Sequence, residues 1–158
     1  MKIAVVYASV YYGNTEKVAK VIAEVLKADL YKAWEVDPST LLQYDLIGFG
    51  SGIYFGKHHK SLFKLVEKLP KVESKKAFVF STSGIRRIPI VHDFHKPLIK
   101  KLREKGFSIV GEFSCRGFED YGPFKLIGSI NKGRPSEEDL NKARKFALSL
   151  KEKLLQST

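Results

Sequence analysis

A chain of 158 residues, 44% hydrophobic and 28% charged, has the size and composition of a single folded domain spanning 1–158, and excludes a disordered or low-complexity protein. Its formal charge of +11 would suit nucleic acid, anionic lipid or an acidic protein. Lys and Arg are interspersed with Glu and Asp and no nucleic-acid motif is present, so a solvated basic surface is expected rather than nucleic-acid binding. One cysteine, Cys115, leaves no intrachain disulfide and points to a reducing, cytoplasmic setting; no run is long enough for membrane insertion.

From the first residue, Lys2 to Tyr7 is a continuous β-prone run, expected as a strand buried on both faces rather than as a signal peptide. It leads into the hydroxyl-rich turn Ser9-Val10-Tyr11-Tyr12-Gly13-Asn14-Thr15, and a helix is expected over 14–28 with Val18, Ile22, Val25 and Leu26 inward. A helix start carries unpaired N–H groups and partial positive charge, which makes it an anion site. Ser9, Tyr11, Tyr12, Asn14 and Thr15 add side-chain donors, and Gly13 removes the Cβ that would block close approach. One glycine is too few for a dinucleotide fingerprint, and no Gly-Lys-Ser/Thr follows, so a phosphate monoester fits best. The bland alternative is that Asn14 or Thr15 only caps the helix.

Further along, short strands are expected at 29–36 and 45–51, with a turn and one helical turn after Asp37-Pro38-Ser39 between them. The segment Ser51-Gly52-Ile53-Tyr54-Phe55-Gly56-Lys57 then reads as a loop presenting flat aromatic surface between small residues, unless Tyr54 or Phe55 turns into the core. A helix is expected over 57–69, ended by Pro70, and a fourth strand over 76–82. Thr82, Ser83 and Gly84 follow as polar donors on a flexible backbone, or as a plain surface turn. A helix over 91–105 capped by Gly106, a strand over 107–114, a long loop over 115–134 and a helix over 136–155 complete the chain. Asp120 and Tyr121 in that loop are weaker substrate-side candidates, and the histidines at 58, 59, 92 and 95 lack the spacing of a metal site.

Alternating strands and helices predict an α/β three-layer sandwich on a five-stranded parallel sheet of order 2-1-3-4-5, with ligands at the switch point between the first and third strands. A response-regulator receiver shares that order but needs acidic residues where Ser9 and Ser51 stand.

The turn ending Gly13-Asn14-Thr15-Glu16, the segment Gly50 to Lys57 and the segment Phe80-Ser81-Thr82-Ser83-Gly84 together resemble the three cofactor loops of the flavodoxin family, in order and over nearly the whole chain. The first loop is one residue longer than the commonest flavodoxin form and has tyrosines where threonines are usual. The resemblance implies FMN as cofactor, its phosphate at 9–15 and its ring between the second and third loops, with Gly56 as the residue whose peptide can flip. It implies an electron carrier with no catalytic residue, working with a redox partner protein that the positive charge would make acidic; the oligomeric state is left open. The alternative it allows is a flavin oxidoreductase, such as an NAD(P)H or quinone reductase or a protoporphyrinogen-oxidising relative.

Overall fold

The computed structural model describes residues 1–9, 13–83, 93–116 and 135–156. Among these residues six strands and five helices follow one another: β1 Ile3–Ala8, α1 Asn14–Leu26, β2 Asp29–Lys32, α2 Pro38–Leu41, β3 Leu46–Tyr54, β4 Lys57–His58, α3 Lys60–Lys68, β5 Lys76–Ser83, α4 Lys96–Glu104, β6 Ser108–Arg116 and α5 Glu137–Gln156. The parallel strands run in the order β2-β1-β3-β5-β6, which is the expected 2-1-3-4-5 order once the short antiparallel β4 is set aside.

Strand alternation sends residues to two separate cores. Ile47, Phe49, Ala77 and Val79 pack with Leu62, Leu65 and Val66 of α3 and Leu98 and Leu102 of α4. Val5, Tyr7, Phe78 and Phe80 pack with Val18 and Ile22 of α1 and Ala143 and Leu150 of α5 on the other side. The glycines of β3 belong to the second core: a Cβ at Gly48 or Gly50 would lie 2.2 Å from the rings of Phe78 and Phe80, their partners in register. Two phenylalanines thus fill the space that two β3 side chains would otherwise take.

Helix boundaries follow local chemistry. At α2, Asp37 accepts a hydrogen bond from the Ser39 N–H. The start of α5 is a reciprocal cap, in which Ser136 Oγ accepts from the Asp139 N–H at 3.2 Å and Asp139 Oδ2 accepts from the Ser136 N–H at 2.8 Å. Gly106, expected as the stop of α4, has φ +101, and a Cβ there would meet the Val72 carbonyl at 2.1 Å.

Beyond shifts of one or two residues elsewhere, four boundaries differ from expectation. Strand β2 stops at Lys32 because the chain turns at once, with the Glu35 and Val36 N–H groups both donating to the Lys32 carbonyl. Strand β3 runs three residues past the expected Ser51, because residues 57–58 fold back to pair with it. Helix α3 therefore begins only at Lys60, where the His59 imidazole accepts from the Ser61 N–H. Helix α4 begins at Lys96 with Pro97 in its first turn, later than the expected 91; residues 91 and 92 lie outside the described ones. Among the described residues no helix is long and apolar enough to cross a membrane.

Candidate functional site

Strands β1 and β3 are neighbours, yet the chain leaves them to opposite faces of the sheet, α1 on one side and α3 on the other. A crevice at the carboxyl ends of these strands is the topological consequence. Around it stand the turn after β1, the β3–β4 hairpin and the end of β5.

In the first turn, Gly13 adopts φ +66 as the N-cap of α1 and supplies no side-chain cap of its own. Among the described residues, a Cβ at Gly13 would meet nothing nearer than Glu16 Oε2 at 4.0 Å. Ser9 Oγ reaches over the turn to accept from the Glu16 N–H at 3.4 Å. Thr15 is turned down instead: its hydroxyl lies buried 2.9 Å from that of Thr82, joining the turn to β5. Asn14 opens the helix. Tyr11 and Tyr12 lie outside the described residues, as does Gly84. A helix start with a glycine as its N-cap and a serine hydroxyl beside its first turn is a donor set that fits a phosphate.

The second segment is a hairpin rather than a loop. Ile53 pairs with His58 and Tyr54 with Lys57, leaving Phe55 and Gly56 as a two-residue turn. Their φ angles, +51 and +82, are the positive pair that a type I′ turn requires. Residues directly opposite on antiparallel strands share a face, so Lys57 lies with Tyr54 and His58 with the buried Ile53. Tyr54 folds back over Gly52 and meets the His59 ring edge-on at 5.4 Å. Phe55 is fully exposed. Ser51 does not face the crevice with a spare hydroxyl: its Oγ donates to the Gly52 carbonyl at 2.6 Å and accepts from the His59 N–H at 2.8 Å, tying the hairpin's return to β3.

Beneath the hairpin lies a buried polar relay that the sequence reading missed. Alternation sends Thr82 towards α1 and Ser81 towards α4. Ser81 Oγ is 2.6 Å from His95 Nε2, and His95 Nδ1 is 3.0 Å from Glu112 Oε1. Because the carboxylate accepts, Nδ1 carries the proton, and in the neutral ring Nε2 accepts from Ser81. The spacing is that of a serine triad, but Ser81 is 1% and His95 0% exposed, so the hydroxyl cannot reach a substrate carbonyl. His58 stacks against His95 with ring centroids 5.0 Å apart. Its Nε2 donates to the Phe80 carbonyl at 3.0 Å, which leaves Nδ1 as a buried lone pair with no hydrogen-bond partner. Burial first, and His95 second, push the His58 pKa down to about 3 against the opposing pull of the Phe80 and Phe94 carbonyls. Among the described residues no three His, Cys, Asp or Glu side chains are placed to hold a metal ion; His92, Asp120 and Tyr121 lie outside them.

Residues 4–115 match the flavodoxin domain family. The chain belongs to that family. It is 53% identical over 150 residues to an uncharacterised protein of Methanocaldococcus jannaschii, covering 95% of this chain and 98% of the relative. In three dimensions it is similar to flavodoxin 2 of Bacillus cereus, with a TM-score of 0.71, 24% identity and coverage of 97% and 99% of the two chains. It is likewise similar to a flavodoxin from the domain Archaea, with a TM-score of 0.68, 20% identity and coverage of 97% and 98%. At these identities the structural likeness establishes the fold.

Proposed function

We propose that the chain binds FMN at the β1/β3 crevice and works as an electron carrier. The observation that carries this reading is the start of α1, where a glycine is the N-cap and the Ser9 hydroxyl stands beside the first turn, facing the same end of the sheet as the β3–β4 hairpin. FMN would supply reversible one- and two-electron chemistry; the chain's residues bind it, hold its orientation and limit solvent. Backbone N–H groups of the first turn of α1 and the Ser9 hydroxyl hold the phosphate. Thr15 and Thr82 fix that turn to β5, while Ser51 fixes the hairpin to β3. Gly56 keeps the hairpin tip free of side-chain obstruction on the crevice side, and Ile53 anchors it from below.

A carrier needs no acid or base, and the only serine–histidine–carboxylate set among the described residues is buried away from any substrate. A single cysteine suits a reducing compartment, and we place the protein in the cytoplasm. The test is the absorption spectrum of the purified chain, followed by steady-state turnover with NADH, NADPH and quinones. Flavin bands at one equivalent with no turnover are expected; rapid quinone reduction would replace the carrier with an enzyme.

A further inference from the structure

Basic residues that the sequence scatters are gathered by the fold onto one of its two helix layers. Helices α3 and α4 share a side of the sheet, and residues 60–76 and 96–105, which run through them, hold eleven Lys and Arg against three Glu. That difference is eight of the chain's net +11. The opposite layer, residues 14–28 and 136–156 through α1 and α5, holds eight basic residues against six acidic ones. Charge that looks interspersed along the chain is thus segregated by layer.

The helix starts divide in the same way. A helix dipole favours an anion in the first turn, and α1 supplies Glu16 there, α5 Glu137, Glu138 and Asp139. Helices α3 and α4 have no acidic residue in the first turn, and each begins on a lysine, Lys60 and Lys96. Along α3, Lys60, Lys64 and Lys68 follow at i,i+4, a spacing at which like charges repel. Along α4, Lys96, Lys100 and Arg103 share a face at i+4 and i+7. All six are exposed, and none makes an ion pair among the described residues. Their neighbours are used within the fold: Lys101 pairs with Glu67 at 2.6 Å, and Lys105 Nζ donates to the Glu67 and Leu69 carbonyls. The Glu67 bridge ties the two helices side by side and takes up the acidic residue that could have neutralised the α3 row. Local stability argues against both rows, and both are present on one face.

We propose that the outer face of α3 and α4 binds the phosphate backbone of double-stranded nucleic acid. Lysines four residues apart stand about 6 Å apart along a helix, and helices in contact lie about 8–10 Å apart. Two such rows, on long side chains, suit the two lines of phosphates that border a duplex groove of about 6–12 Å. The class of partner follows from what the face lacks. No large hydrophobic residue of α3 or α4 is exposed. The face therefore offers no apolar anchor for a protein, no apolar residues to enter a membrane and no aromatic platform for unpaired bases. Contacts to phosphate alone make binding independent of base sequence and steeply dependent on salt. The six cations lie on the outer side of the layer, so the proposal is independent of the flavin reading.

The experiment is an NMR titration of the isotope-labelled full chain, flavin-free and with FMN, against a sixteen-base-pair DNA duplex, followed by fluorescence anisotropy across a salt series. Poly-glutamate and vesicles of one-third anionic lipid serve as the contrasting polyanions. Shifts clustered on residues 60–71 and 96–105 are expected with the duplex, the same in both forms of the chain. Affinity is expected to fall about a hundredfold or more between 50 and 200 mM salt, as four or more phosphate contacts imply. At 100 mM salt the triple variant Lys64→Glu, Lys68→Glu, Lys100→Glu weakens binding about fiftyfold or more. The charge-matched variant Lys142→Glu, Lys145→Glu, Lys151→Glu on α5 stays within about fivefold. Lys64→Glu alone turns two i,i+4 repulsions into attractions, so it raises the urea midpoint while it weakens duplex binding about fivefold, which separates loss of the surface from loss of the fold. Shifts clustered elsewhere, an equal loss in the α5 variant, or equal binding of poly-glutamate or vesicles at these residues would overturn the proposal.

Discussion

His58 shows how a single buried side chain makes the molecule sensitive to acid. Its pKa is near 6.5 in the unfolded chain and about 3 when folded, so between these values the unfolded state takes up the proton first. The stabilising effect of keeping the ring neutral is complete above about pH 6.5 and is lost progressively as the pH falls towards 3. At pH 5 the loss from this group is about 2 kcal/mol. Urea denaturation at pH 7.5 and pH 5 is expected to show it, and His58→Gln, which keeps a donor for the Phe80 carbonyl without titrating, loses correspondingly less. An equal loss in both proteins would mean that His58 is charged in the fold. Lys57 acts on charge in the other direction. It stands exposed on the Tyr54 face of the hairpin, and a cation near a reduced, anionic flavin raises the flavin's potential. Lys57→Glu is expected to lower the potential by tens of millivolts at low salt, on the order that screened charges at this range produce, as read by spectroelectrochemistry.

At the scale of elements, the β3–β4 hairpin decides most of the differences between sequence and structure. The apolar run 46–50 announces a buried strand, but nothing in periodicity marks Lys57 and His58 as a return strand of two residues. Their pairing comes from the positive-φ turn and from Ser51 gripping the His59 N–H, a contact across eight residues. The cap of α3 was equally hidden, because an imidazole fills the place usually held by Ser, Thr, Asp or Asn. The hairpin also holds a prediction of its own. Phe55→Asn creates the Asn-Gly pair favoured in a type I′ turn and relieves the cost of a bulky residue at φ +51. It is expected to raise stability by about 1 kcal/mol in urea unfolding. A loss of stability instead would show that the Phe55 ring is held by contacts within the fold.

For the whole molecule, strand order and the location of the crevice were legible because the alternation of elements leaves few topologies, and because hydroxyl-rich or glycine-rich segments end β1, β3 and β5. The Ser81–His95–Glu112 relay was not legible. Its members come from β5, α4 and β6, and only the folded register brings them together. The same holds for Thr15, whose hydroxyl joins Thr82 across 67 residues rather than projecting from the turn. The proposed terminus for one phosphate at the start of α1 is the claim on which the functional account stands. Titration of the flavin-free protein with FMN and with riboflavin tests it directly. FMN is expected to bind at least about a hundredfold more tightly, as losing charge-assisted hydrogen bonds of roughly 1.5–3 kcal/mol each implies, and Ser9→Ala is expected to narrow that gap. Riboflavin binding as tightly as FMN, or a gap unchanged in the variant, would contradict the assignment.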